Sequence, residues 1–123
     1  MKNLKEFVAS TIENGGATMN VVTGVVPTSG YVVSMQGHEQ TFPLFGNDVV
    51  KEILISGAVK LYLEENIVEF VYAENFLGSW IDDGLLYLDI SNVYESEHDA
   101  LRVAVANKQL AYYDISNAKT IEL

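Results

Sequence analysis

The chain has 123 residues, of which 49% are apolar, 11% aromatic and 20% charged, a composition that excludes a multidomain machine, a disordered tail, a fibre and a coiled coil. The absence of cysteine removes a disulfide framework, thiolate catalysis and Cys-based zinc sites. Seventeen acids against seven bases give a net charge of −10, and no segment has the apolar run of a membrane span or of a secretory signal, so a cytoplasmic domain is expected.

The predicted elements follow in chain order. Asn3 is placed to cap a helix, with Glu6 at the third position in a capping-box arrangement and Leu4, Phe7, Val8 and Ile12 on one face. Asn14-Gly15-Gly16 stops it. Residues 17–26 are β-branched and strand-like, Pro27-Thr28-Ser29-Gly30 is a turn and Tyr31–Gln36 alternates, so the two segments are expected to form a hairpin. His38–Gly46 is expected to be a loop leading to Asn47 or Asp48 as the next cap. A helix is expected from Val49 to about Glu65. Beyond it, Ile67, Phe70 and Val71 suit a second short helix, while Val68, Phe70 and Tyr72 alternate as a strand would.

From Phe76 to Ser91 the pattern is two strands about Asp83-Gly84, a strong two-residue hairpin signal. That turn sets Asp82 opposite Leu85, Ile81 opposite Leu86, Trp80 opposite Tyr87 and Gly78 opposite Asp89. One face then carries Leu77, Ile81, Leu86, Leu88 and Ile90 and must be core. The other carries Phe76, Trp80, Tyr87 and Asp89, with Gly78 leaving room beside Asp89. Ser96 and Asp99 open a further helix with Leu101, Ala104 and Val105 inward, ended by Asn107. Leu110–Ile115 follows as a strand, expected to run parallel to the strand before the helix. The fold class is a single α+β domain over residues 1–123. Its mixed or antiparallel sheet would hold two hairpins and a carboxyl-terminal strand-helix-strand unit, with helices on one side.

The charge is unevenly spread. Residues 1–61 hold four Lys and five acids, a net of −1, whereas residues 62–123 hold twelve acids against three bases, a net of −9. Between Lys60 and Arg102 lie ten carboxylates (Glu64, Glu65, Glu69, Glu74, Asp82, Asp83, Asp89, Glu95, Glu97 and Asp99) and no base. Such a field repels nucleic acid and anionic lipid, because phosphate binding needs clustered Lys and Arg. It serves either as a solubilising surface or as a docking surface for a basic partner. With Phe76, Trp80 and Tyr87 among them, these acids form the candidate interface, since Trp and Tyr are common interface anchors.

Leu85–Asn92 and Leu110–Asn117 match at six of eight positions, which places Asp89 and Asp114 at equivalent points of two strands. Side by side, such carboxylates divide acid and base roles or hold a cation; strand-end Asp followed by Ser-Asn is equally turn chemistry. His38 and His98 lack metal-ligand spacing, and no Walker, Gly-x-Gly-x-x-Gly or Gly-x-Ser-x-Gly motif occurs, so no metal, cofactor or enzymatic activity is expected. The alternative to protein docking is a small-ligand site, for a nucleotide-like compound or a metabolite, near Trp80, His38 or Arg102 in a homo-oligomer.

Asn14-Gly15-Gly16-Ala17, Thr23-Gly24, Gly30-Tyr31-x-Val33-Ser34-x-x-Gly37-x-Glu39, Gly78-Ser79-Trp80, Tyr87-Leu88-Asp89-x-Ser91 and Asn107-x-Gln109-x-Ala111-x-x-Asp114 together resemble a group of small uncharacterised proteins from bacteriophages and mobile elements of Gram-positive bacteria. The resemblance carries no catalytic residues. It implies an accessory protein in a bacterial host cell that inhibits a host factor, of the kind that blocks restriction or CRISPR enzymes.

Overall fold

A computed structural model describes residues 3–123 as one α+β unit. In chain order its described elements are α1 (Leu4–Asn14), β1 (Gly16–Met19), β2 (Tyr31–Ser34), β3 (Gln40–Pro43), α2 (Asp48–Glu65), α3 (Ile67–Phe70), β4 (Phe76–Asp82), β5 (Leu85–Tyr94), α4 (Glu97–Ala106), β6 (Ala111–Asp114) and β7 (Lys119–Glu122). The strands form one antiparallel sheet in the order β1-β4-β5-β2-β6-β7. β5 is its spine: β4 pairs along Leu85–Ser91 on one side, while β3 and then β2 share the other, at Leu85–Leu88 and Ser91–Tyr94.

The hairpin around Asp83-Gly84 has the register expected from its turn, with Asp82 on Leu85, Trp80 on Tyr87 and Gly78 on Asp89. Both turn residues have positive φ (48° and 74°), the geometry whose twist matches that of paired strands. Leu77, Leu86, Leu88 and Ile90 are buried as expected, and Ile81 packs at the edge of the same cluster. Phe7 and Val8 of α1 and Ile55, Val59 and Tyr62 of α2 close over them. A second cluster sets Ala100 and Ala104 of α4 against Val33 and Tyr112. By register, the strand residues in both clusters lie on one face, so the helices pack on a single side of the sheet.

The amino-terminal hairpin does not form. β1 ends at Met19 and pairs with β4, and the β-branched run beyond it is loop. The cause is Asn20, whose buried side chain accepts the backbone N–H of Val22 and of Thr23 and turns the chain before a longer strand can develop. Asn3 precedes α1 in a left-handed conformation and makes no side-chain cap, so the capping box is absent; its amide donates to the Gly24 carbonyl. β3 lies in what the sequence reads as loop, an edge segment ending at Pro43. β7, a four-residue strand that begins directly after a left-handed Ala118, also escapes the sequence pattern.

Helix α2 ends at Glu65 as expected, capped at its start by Asn47 accepting from Val50 N–H, and Ile67–Phe70 is the short helix rather than a strand. In α4, Ser96 caps through Asp99 N–H, but Leu101 and Val105 face solvent instead of the core; the inward pair is Ala100 and Ala104, small enough to bring the helix close to the sheet. β5 and β6 run parallel, as a right-handed crossover requires, but β2 lies between them and is antiparallel to both.

Candidate functional site

Strand alternation sends Phe76, Gly78, Trp80 and Asp82 of β4 to the face opposite the helices, with Tyr87, Asp89, Ser91 and Val93 of β5, Val32 and Ser34 of β2, Thr41 of β3 and Tyr113 of β6. Among the described residues no helix packs there. Trp80 is 47% exposed and Tyr113 39%, while Tyr87 and Phe76 are half-buried. None of the strand residues that register places on this face is Lys or Arg.

Asp89 sits near its centre. Its carboxylate accepts Ser91 Oγ–H at 2.7 Å on Oδ1 and Ser34 Oγ–H at 2.9 Å on Oδ2, so its own strand and the neighbouring β2 together hold it in one orientation. Gly78, directly across β4, supplies the space. Burial pushes the Asp89 pKa up, and the two serine hydrogen bonds pull it partly back. Glu39, just before β3, is raised first by its own desolvation and then by the charge of Asp89. Tyr62 donates from its hydroxyl to the His38 carbonyl, and burial, with the charges of Asp89 and Glu39, drives its pKa far above the ordinary phenol value. Glu39, Ser34 and Ser91 therefore belong to the surroundings of Asp89. All three occur in the motifs that carry the resemblance, but only Ser91 also stands beside Asp89 in the echoed strand, and none is among the candidate site residues read from the sequence.

The remaining candidate acids divide by position. Asp83 is in the turn beside Asp82. Glu69 and Glu74 line an open cleft of about 560 Å³ at the lower edge of the sheet, with Phe76, Tyr72 and Asn92. Asn92 braces that edge by donating to the Glu74 carbonyl and to Asn75 Oδ1. Glu64 and Glu65 close α2 on the helix side, where Glu65 accepts Gln40 Nε2–H. Glu95, Glu97 and Asp99 lie at the far end of β5, about 30 Å of strand from the Asp83-Gly84 turn. There Glu97 accepts the Tyr112 hydroxyl and Asp99 lies 3.7 Å from Arg102. The sheet face thus unites Phe76, Trp80, Asp82, Tyr87 and Asp89, with Asp83, Glu69 and Glu74 at its borders, and leaves the other five acids elsewhere.

Neither the 560 Å³ cleft nor a smaller one of about 310 Å³ beside Tyr31 and Glu95 is lined by His38, Arg102 or Trp80. Asp89 and Asp114 do not form a pair. They lie on opposite faces, two strands apart, and Asp114 pairs through Tyr31 with Tyr94, five residues or about 16 Å along β5 from Asp89. Asp114 instead caps the turn before β7, accepting from Asn117 N–H and Nδ2–H. Among the described residues no group of three or more His, Asp or Glu is arranged to hold a metal ion, and no helix is long and apolar enough to cross a membrane. No protein-family model, no curated protein and no solved structure matches the chain, so the reading of the site rests on its geometry.

Proposed function

We propose that this chain is a non-enzymatic binding protein that docks a basic surface of a host protein on its helix-free sheet face and thereby blocks or modulates it. The observation that carries the proposal is a half-exposed tryptophan, Trp80, beside Tyr87 and Asp89 on a sheet face without a cationic strand residue. Aromatic side chains give such a face its contact area, and carboxylates select against anionic partners and steer cationic ones. Asp82, exposed on the same face two residues from Trp80, is the carboxylate placed to meet an Arg or Lys of the partner. The sequence resemblance to phage and mobile-element proteins supports as partner a bacterial defence or nucleic-acid-processing enzyme, whose own basic groove would meet this acidic face.

The test is affinity capture from a bacterial lysate with the wild-type chain and with Trp80→Ala, at low salt and in about 0.5 M salt, where surface charges are screened beyond a few ångströms. A basic protein retained only by the wild type and only at low salt supports the reading. Retention unaffected by both changes, or no retained protein, contradicts it.

A further inference from the structure

We infer that the outer side of α2 is a self-association surface, on which a second copy of this chain packs around Gly57. The helix is apolar on both sides. Ile55, Val59 and Tyr62 point into the core with no exposed area, while Val49, Ile53 and Leu61 point outward at 55–68% exposed. With Gly57 these outward residues recur every four positions, one row along the helix. Past Asn66, Val68 and Val71 add further exposed apolar surface. A soluble helix normally turns charge toward water, and exposed apolar strips of this extent mark contact surfaces.

Three features choose a second copy as the occupant. The first is charge. Between Asp48 and Leu61, Asp48 and Glu52 are balanced by Lys51 and Lys60, a net of zero in a chain of −10. Two such anionic chains meet along this neutral row without like-charge repulsion, and with the helices antiparallel about Gly57 the acids that end α2, Glu64 and Glu65, fall near Lys51 of the other copy. The second is symmetry. Ile53 and Leu61 stand four residues to either side of Gly57, so a two-fold axis at Gly57 seats Ile53 of one copy against Leu61 of the other. An added Cβ on Gly57 meets nothing within 4 Å, and the gap admits the partner helix closely. The third is area. An 18-residue helix is about 27 Å long and about 10 Å wide, about 270 Å² in outline, and the exposed Ile67, Val68, Val71 and Tyr72 continue the apolar surface past its end toward the roughly 800 Å² each partner gives to a standard interface.

Sedimentation equilibrium on the untagged chain tests this, with Ile53→Glu, Leu61→Gln, Gly57→Arg and, as a control on the other face, Trp80→Ala. The wild type and Trp80→Ala are expected at twice the chain mass in the micromolar range. The three α2 variants are expected to weaken association at least tenfold. Gly57→Arg separates association from folding, because Arg is the better helix former and its far-UV circular dichroism should be undiminished. Three results would overturn the inference: a wild type that stays at one chain mass up to about 200 µM, a concentration well above the Kd of a specific dimer; a dimer indifferent to all three α2 changes; or a dimer lost in Trp80→Ala alone.

Discussion

Asp89 leans across the sheet into the space that Gly78 leaves on the neighbouring strand. A Cβ built on Gly78 would overlap Asp89 Oδ1 and come within 3.1 Å of Asp89 Cγ and 3.2 Å of Ser91 Oγ. Glycine weakens a strand interior, so its presence here reflects the close approach of another group rather than strand propensity.

Replacing Gly78 with Ala is therefore expected to destabilise the fold by about 1–3 kcal/mol, the usual cost of overpacking a well-filled site. Combining it with Asp89→Ala should restore much of the loss, because the clash needs both side chains. Denaturant unfolding of the two single variants and the double variant measures this coupling; purely additive losses would show that the two positions act separately.

The same enclosure gives a pH signature. Asp89 is raised above its ordinary value of 3.8, so the folded state binds its proton more tightly than the unfolded state. Stability attributable to this group is then greatest below the unfolded pKa and falls as pH rises from there through the folded pKa. Glu39, raised for the same reason, acts in the same direction. Asp89→Asn should flatten the decline in unfolding free energy between the ordinary carboxylate range and neutrality. A variant whose pH profile parallels the wild type would contradict the assignment.

Under the opposite face, Thr11 Oγ1 and Ser79 Oγ lie 2.6 Å apart, both buried, and Thr11 also donates to the Phe7 carbonyl. With the threonine proton so committed, Ser79 is the donor between the two. Thr11→Val should cost about 1–3 kcal/mol by leaving the serine hydroxyl unpaired, and Ser79→Ala less, because Thr11 keeps its bond to Phe7. Thermal unfolding of both variants checks this order; equal losses would refute it.

Trp80 is the single tryptophan and reports directly on its surroundings. Half-exposed beside Tyr87, Asp82 and Asp89, it should be readily quenched by acrylamide. Measured against their quenching of a neutral free tryptophan derivative, caesium should be enhanced and iodide suppressed at low ionic strength, because the local potential attracts cations and excludes anions. Both departures should shrink as salt is added. Relative quenching by the two ions equal to that of the free derivative at low salt would show that no acidic field surrounds the residue. Trp80→Ala should change stability by less than about 1 kcal/mol, since much of the side chain is already in water.

The parts of the fold governed by local chemistry were legible in the sequence. Asp83-Gly84 set the register of the central hairpin, which placed Gly78 beside Asp89 and separated Leu77, Leu86 and Ile90 from Phe76, Trp80 and Tyr87. Asn47 and Ser96 marked real helix starts. What escaped depends on partners remote in sequence. The β-branched run after Met19 has strand character, but Asn20 turns it, and β1 reaches past β2 to pair with β4. β3 is a strand only because β5 offers it an edge. The echo of Asp89 in Asp114 is equally real in sequence, yet a strand inserted between the two copies and an opposite facing give one a place on the open face and the other a turn. The Asp89 surroundings drew in Ser34 and Glu39 from segments more than 45 residues away, which no local pattern announces.

The most direct test of the docking face is a titration of the isotopically labelled chain with an arginine-rich peptide, followed by backbone amide shifts. The account predicts saturable shifts concentrated in Phe76–Asp82 and Leu85–Asn92, lost in about 0.5 M salt and reduced in Trp80→Ala. Shifts spread equally over Glu64–Glu65 and Glu95–Asp99, or centred there with β4 and β5 unmoved, would contradict it.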